Sequence, residues 1–136
     1  MSRILKNFRL GCTIAIFYPV HQVHEVVHRV IGVLIREPDK VLTIPLSLKN
    51  ALAMNKQAIE FVNRDGTPLK CHGCNEIKTG LGKCARCELF CYCDRECQAE
   101  GWDDHKKYCK ALKDKNIRKM LLLDYATRAN GPVSFR

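Results

Sequence analysis

Seven cysteines and one histidine fall in four pairs within 39 residues: Cys71-x2-Cys74, Cys84-x2-Cys87, Cys93-x3-Cys97 and His105-x3-Cys109. Nothing else in the chain limits its fold so strongly. Zinc takes four thiolate or imidazole ligands at about 2.0–2.3 Å, and a Cys-x2-Cys turn presents two thiolates at a suitable separation. The x3 pairs do the same on a helix, where residues four apart share a face. Eight ligands fill two closed tetrahedral sites. Neither site keeps a position for water, so neither is set up for hydrolysis. Neighbouring pairs could share an ion, giving two beads in series. Alternating pairs could share one, giving a cross-brace.

A segment of about forty residues cannot bury enough apolar surface to fold unaided. Structural zinc supplies folding free energy directly, about 10–16 kcal/mol per site in finger peptides near neutral pH. Residues 71–109 are therefore expected to be unfolded without metal.

The 136-residue chain is 46% apolar and 27% charged, a globular balance, with a formal net charge of +9. That charge counts cysteines as neutral. Seven thiolates bring −7 and two zinc ions +4, which takes +9 to about +6. Nine cysteines would also suit a secreted disulfide scaffold. The odd count, the metal-like spacings and a histidine in ligand register favour metal and a reduced compartment, nucleus or cytoplasm. No stretch reaches 18 apolar residues, so no transmembrane helix and no membrane partner are expected. Arg3, Lys6 and Arg9 precede an apolar run from Leu10 to Val20, with no acidic residue before Glu25. That suits a mitochondrial targeting segment or a poor signal peptide, and equally a basic first element leading into a buried strand or helix.

The turn formers Asn63 to Pro68, with Asp65-Gly66 the sharpest signal, divide the chain near residue 66. Residues 1–66 are expected to form a small α+β N-terminal module whose fold the pattern does not assign beyond a hairpin plus a helix. Its β-branched residues from 10 to 35 favour strands. The turn Glu37-Pro38-Asp39-Lys40 separates Val26–Arg36 from Val41–Leu46 and suggests a β-hairpin. Val20, Val23, Val27, Val30 and Leu34 also fit a helical stripe after Pro19, but strands are preferred beside the turn. Ser47 caps a helix over 47–63 with Leu48, Leu52, Ile59 and Val62 on its core face and Gly66 past its end. Asp94 caps a short helix over 95–100, followed by Gly101. Asp103 caps another that carries His105 and Cys109 and runs to about Arg128 through Leu112, Met120, Leu121 and Leu123. Residues 110–136 are thus a basic C-terminal helix and tail.

The string Tyr92-Cys93-x3-Cys97-Gln98-x3-Trp102-x2-His105-x3-Cys109, preceded by Cys71-x2-Cys74 and Cys84-x2-Cys87, resembles the MYND-type zinc finger. The resemblance covers residues 71–109. It implies the cross-brace, with Cys71, Cys74, Cys93 and Cys97 on one zinc and Cys84, Cys87, His105 and Cys109 on the other. It also implies a protein-interaction module that takes short proline-containing peptides as an added strand beside Gln98 and Trp102. Backbone hydrogen bonds would give such a mode affinity, and Trp is a frequent anchor. A bland use is compatible: Trp102 packing the two zinc lobes together, and Gln98 on a helix surface. Two departures stand out. Gly101 replaces the usual acidic residue, which is expected to loosen the turn before Trp102. Cys91 is an extra thiol, read as free because Cys91-x5-Cys97 is a poorer ligand spacing. Cys12 is read as a small buried hydrophobe.

His24-Glu25-Val26-Val27-His28 matches the His-Glu-x-x-His protease signature. It needs a helix; on a strand His24 and His28 would lie about 13 Å apart. Gly32 and Leu34 break the longer metzincin form, and His21, His24 and His28 are read as polar-face residues. The run Lys106, Lys107, Lys110, Lys113, Lys115, Arg118 and Lys119, opposed only by Asp114, gives the alternative of a nucleic-acid-associated regulator. MYND fingers also occur within SET-type lysine methyltransferases, but this chain is too short for that catalytic domain. The expected function is a non-enzymatic, zinc-stabilised adaptor that recruits a partner protein.

Overall fold

The computed structural model of the chain describes residues 8–17, 20–24, 30–34, 37–123 and 135. Its N-terminal part is a long interrupted β-ribbon. Strand β1 (Thr13–Ile16) pairs antiparallel with β4 (Val41–Ile44), and β2 (Val20–His24) pairs antiparallel with β3 (Val30–Leu34). The register runs Thr13↔Ile44 to Ile16↔Val41, then Val20↔Leu34 to His24↔Val30. Three more residues separate the strands on the returning arm than on the outgoing one. A 3-10 turn at Pro38–Lys40 occupies that excess, and Phe17 N–H donates to Lys40 O at 2.8 Å to keep the arms together.

The ribbon corrects the expected hairpin. Glu37–Lys40 is a turn inside one arm, and the segments it separates pair with other strands, not with each other. The helical stripe is also overturned where it can be seen, since Val20, Val23, Val30 and Leu34 lie in strands. Val26, Val27, His28 and the rest of the stretch 25–29 lie outside the described residues. Cys12 is half-buried, not a core residue, because it precedes the first paired position of β1.

Helix α1 spans Leu48–Phe61, with the Ser47 hydroxyl accepting from Asn50 N–H at 3.3 Å, as its cap signal implied. Its buried residues are Ala51, Met54, Ala58 and Phe61. The expected face is wrong: Leu48, Leu52 and Ile59 are exposed, and only Val62, at the C-cap, is buried with the core. The alanines let α1 approach its neighbours closely, while Met54 and Phe61 fill the space that remains. Past α1 the chain reverses. Gly66 takes φ +83°, open to glycine without a Cβ penalty, and Asp65 accepts from the Thr67 N–H and hydroxyl. Leu69 N–H then donates to Phe61 O at 3.0 Å, which returns the chain to the end of α1.

The C-terminal part has a small antiparallel ladder, β5 (Gly82–Lys83) with β6 (Cys91–Tyr92), followed by α2 (Arg95–His105). Asp94 caps α2 through Cys97 N–H at 2.9 Å. Gly101 and Asp103 lie inside this helix, so the break expected after residue 100 does not occur. The longer helix to Arg128 is likewise corrected. After His105 come turns, a 3-10 segment at Ala111–Lys113, and α3 (Lys115–Leu121), capped by Asp114 through Asn116 and Ile117 N–H. Asp114 interrupts the helix because its side chain satisfies those N–H groups better at a cap than within a turn. Residues 124–134 lie outside the described set.

One hydrophobic cluster joins these parts. Leu42 and Ile44 from β4, the buried face of α1, Leu89, Phe90 and Tyr92 from the cysteine-rich part, and Ile117 and Leu121 from α3 pack together. Phe135 closes it, its ring 5.0 Å from Phe17 and its N–H donating to Asp39 O at 2.7 Å.

Candidate metal centres

Each Cys-x2-Cys pair sits in a tight turn built in the same way. Asn75 N–H donates to Cys71 O at 2.9 Å and Glu88 N–H to Cys84 O at 2.8 Å. The residue after the second cysteine is left-handed in both: Asn75 at φ 62° and Glu88 at φ 58°. This curls the N–H groups of the turn towards the first sulfur. Cys71 Sγ accepts from Cys74 N–H at 3.5 Å and from Cys93 N–H at 3.4 Å.

The ligand candidates gather in two groups, with all donor atoms of each group within 4.8 Å of one another. One is Cys71, Cys74, Cys93 and Cys97; the other is Cys84, Cys87, His105 and Cys109. The pairs alternate, so the arrangement is a cross-brace and not two beads. The second group is fully buried, whereas only Cys71 is buried in the first. Helix α2 serves both, carrying Cys97 near its start and His105 at its end. From α3, Arg118 donates to Cys87 O at 3.2 Å and holds the second turn against the rest.

The spacing fits a zinc-sized ion. With Zn–S of about 2.3 Å and Zn–N of about 2.05 Å, tetrahedral edges come to about 3.8 Å for S···S and about 3.6 Å for S···N. The structure has Cys74 Sγ 3.7 Å from Cys93 Sγ, Cys84 Sγ 3.9 Å from Cys109 Sγ, and Cys87 Sγ 3.4 Å from His105 Nε2. His105 therefore aims Nε2 at its cluster. Its Nδ1 is buried without a hydrogen-bond partner and faces an aromatic shell in which Phe90 and Trp102 stand 5.1 and 5.7 Å away.

The electrostatics suit a dication. Burial raises the Cys71 thiol, but N–H groups of Cys74, Cys93 and Gly73 outweigh it and bring it down to about 7. Cys84 is lowered in the same way, burial being overcome by the N–H groups of Cys87 and Arg86. Burial pushes Cys109 up to about 12, reinforced by neighbouring Cys87 and Cys84, and it raises Cys87, Cys93 and Cys97 too. Each cluster so has one thiol prepared to ionise and others held back by burial and crowding. A bound dication reverses that penalty, since a coordinating thiol is deprotonated outright.

Cys91 stands apart from both groups. It is buried on β6 with its S–H directed to Leu89 O at 3.8 Å, which leaves Cys93 in the cluster. Trp102 is half-buried, with its ring against His105 and the Arg86 guanidinium 5.9 Å from its centroid. Gln98, one turn earlier on α2, is half-buried as well.

Sequence reasoning missed His72. This residue is buried between α1 and α2; its Nε2–H donates to Gln57 Oε1 at 2.6 Å, leaving Nδ1 to accept from the Tyr92 hydroxyl at 3.4 Å. Two glycines admit this packing. A Cβ on Gly73 would lie 2.2 Å from Cys97 O, and one on Gly101 3.0 Å from both His72 Nδ1 and Tyr92 Cε1. Gly101 therefore tightens the structure before Trp102, contrary to the loosening expected of it. A Cys-His-Gly-Cys turn followed by a helical glycine was the available signal.

His24 is in strand β2, so the helix required by the protease signature is absent at its first residue. Glu25 and His28 lie outside the described residues. Among the described residues, all nine cysteines are free of disulfides, and no helix is long and apolar enough to cross a membrane.

Fold and site together define a cross-braced, double-zinc finger in a small α+β chain. Residues 71–109 match the MYND finger family and are a MYND-type zinc finger. Over 42 residues, 31% of this chain, it is 50% identical to the N-lysine methyltransferase SMYD2 of Gallus gallus, covering 10% of that protein. Over 43 residues, 32% of this chain, it is 42% identical to the histone-lysine N-methyltransferase SMYD1 of Homo sapiens, covering 9% of it. Over 53 residues, 39% of this chain, it is 40% identical to SET domain-containing protein 14 of Caenorhabditis elegans, covering 12% of it. The chain thus spans about a tenth of the length of these curated relatives. No solved structure matches it significantly. MYND fingers are in general protein-interaction modules, and the two clusters are consistent with two zinc ions.

Proposed function

We propose that this chain is an adaptor that recruits partner proteins through short, proline-containing peptides, working in the nucleus or cytoplasm. In this reading Cys71, Cys74, Cys93 and Cys97 hold one zinc and Cys84, Cys87, His105 and Cys109 the other. Zinc bound there crosslinks the two turns to α2 and supplies no chemistry beyond that. The relatives are named for lysine methylation, but the shared stretch is the finger region, and the role proposed for this chain is binding.

The observation that carries the reading is the pair Gln98 and Trp102. They are four residues apart, hence on one face of α2, and each is only half-buried. Contacts with His105 and Arg86 hold the indole in place before any peptide arrives. A pre-ordered aromatic loses little freedom on binding, which favours affinity. Gln98 adds an amide that can both donate and accept beside it. The test is a Trp102→Ala chain titrated with a proline-containing peptide. The reading expects two zincs retained and peptide affinity lost. Unchanged affinity in a folded, zinc-loaded variant would refute it.

The nucleic-acid alternative draws on the lysine-rich stretch after α2. Support for it is thinner. Lys106 and Lys107 are paired with Asp103 and Asp104 at 2.6 and 3.2 Å, and the run is split between turns, a 3-10 segment and α3. Binding that fell steeply with salt would favour it.

A further inference from the structure

Helix α1 carries a second apolar stripe that the core does not use. Leu48, Leu52 and Ile59 are 62%, 61% and 67% exposed. At 3.6 residues per turn they fall within an arc of about 40°, roughly 90° or more from the centre of the buried face of Ala51, Met54, Ala58 and Phe61. Three large aliphatics aligned over about 16 Å of helix are more than scattered surface apolar residues.

The surroundings of this ridge differ on its two sides. On one side a groove of about 310 Å³ opens between α1 and the end of α3. It is lined by Asn55, Ala58, Ile59 and Val62 from α1 and its cap, with Leu121 to Leu123 opposite and Arg64 at its edge. On the other side, one helical step round, stand Lys49 and Lys56, both exposed. Among the described residues no carboxylate pairs with either lysine. Nearby Glu60 is held by Lys70 at 3.0 Å, and Asp65 is engaged by Thr67. Among the described residues, the ridge is therefore bounded by two lysines with no carboxylate paired to them.

We propose that the ridge and groove form a docking surface for an amphipathic helix whose polar flank is acidic. The partner's apolar side chains would enter the groove beside Leu52 and Ile59, and its carboxylates would meet Lys49 and Lys56. Charge complementarity selects this occupant, since a basic or neutral helix leaves the lysines unanswered. The surface lies on α1, apart from Gln98 and Trp102 on α2, so it adds a second recruitment site to the one proposed above.

The test uses the zinc-loaded full chain and two labelled peptides of about 15 residues, with leucines at the i, i+3, i+4, i+7 spacing of a helix. One carries glutamates on its polar face and the other lysines. The glutamate peptide is expected to bind at least about tenfold more tightly than the lysine peptide. L52E with I59E abolishes that binding, K49E with K56E reverses the preference, and Trp102→Ala changes neither. All four α1 positions are exposed, and two bound zincs with an unaltered circular dichroism spectrum check the fold. Equal binding of both peptides overturns the proposal, as does binding insensitive to L52E with I59E. So does self-association of the chain that is lost in L52E, or capture of anionic vesicles with no binding of the glutamate peptide.

Discussion

The imidazole of His72 lies where a side chain at position 101 would otherwise stand, with Nδ1 only 3.0 Å from the Cβ that Gly101 lacks. His72 cannot easily step aside, because Gln57 and Tyr92 hold its two nitrogens. Gly101→Ala should gain about 1 kcal/mol of helix propensity. Overpacking in a filled site costs about 1–3 kcal/mol, and the fixed imidazole places this site towards the upper end. A net loss is expected, visible as a fall of several degrees in the melting temperature of the zinc-loaded protein. His72→Ala combined with Gly101→Ala should lose less than the two single changes summed, in a double-mutant cycle. Additive losses would show that the two positions do not interact.

Interleaving of the two sites predicts a pattern among the cysteines. Cys93→Ala removes a member of the cluster that holds Cys71, although 22 residues separate them, while Cys91→Ala touches neither cluster. Metal analysis should find about one equivalent of zinc lost in Cys93→Ala, and the same loss in Cys71→Ala. The Cys91→Ala chain should keep both. Zinc loss in Cys91→Ala equal to that in Cys93→Ala would contradict the assignment.

Acid should unfold this chain well above the pH that carboxylates alone would set. Burial lowers the His72 pKa, and a His105 that ligates zinc can take up a proton only by releasing the ion. An unfolded histidine titrates near about 6.5, so below that pH the unfolded state binds more protons than the folded one. Stability is therefore fully present above about 6.5 and is lost as pH falls towards the folded values. Zinc release works in the same direction, because its ligands must shed protons to bind. Urea midpoints measured at pH 7.5, 6 and 5 should fall in that order. A flat profile over this range would count against neutral, buried His72 and His105.

The metal sites were legible in the sequence because ligand chemistry dictates spacing. Cys71-x2-Cys74 and Cys84-x2-Cys87 leave little freedom in how a chain can meet an ion. The cap signals of Ser47 and Asp94 were equally local and equally readable. Pairing across distance was not. Glu37-Pro38 looks like the apex of a hairpin, yet the partner of Val41 is Ile16. No local propensity encodes that register. The face of α1 was misread for a different reason. It carries apolar residues round more than half its circumference, and three large ones, Leu48, Leu52 and Ile59, are outside while Met54 and Phe61 are inside. Ala51, Met54, Ala58 and Phe61 are inside because that side of the helix joins the common core, a demand that arises from its neighbours and not from the helix. Gly101 was misread likewise: glycine near a helix end suggests a stop, but here it makes room for His72.

Removal of metal should separate the two halves of the chain. The buried groups of the finger, Cys84, Cys87, His105 and Cys109, keep each other out of water only when an ion satisfies them. Excess chelator should reduce the total helical signal in circular dichroism and speed hydrogen exchange at the amides around Phe90 and Ile117, which are buried in the folded chain. A spectrum unchanged by zinc removal would contradict a metal-dependent fold.

Native mass spectrometry of the purified, reduced chain measures the central claim most directly. Two zinc ions per chain are expected, bound together with seven lost thiol protons. A folded, monodisperse species carrying no zinc, or one in which the same cysteines are joined as disulfides, would contradict it.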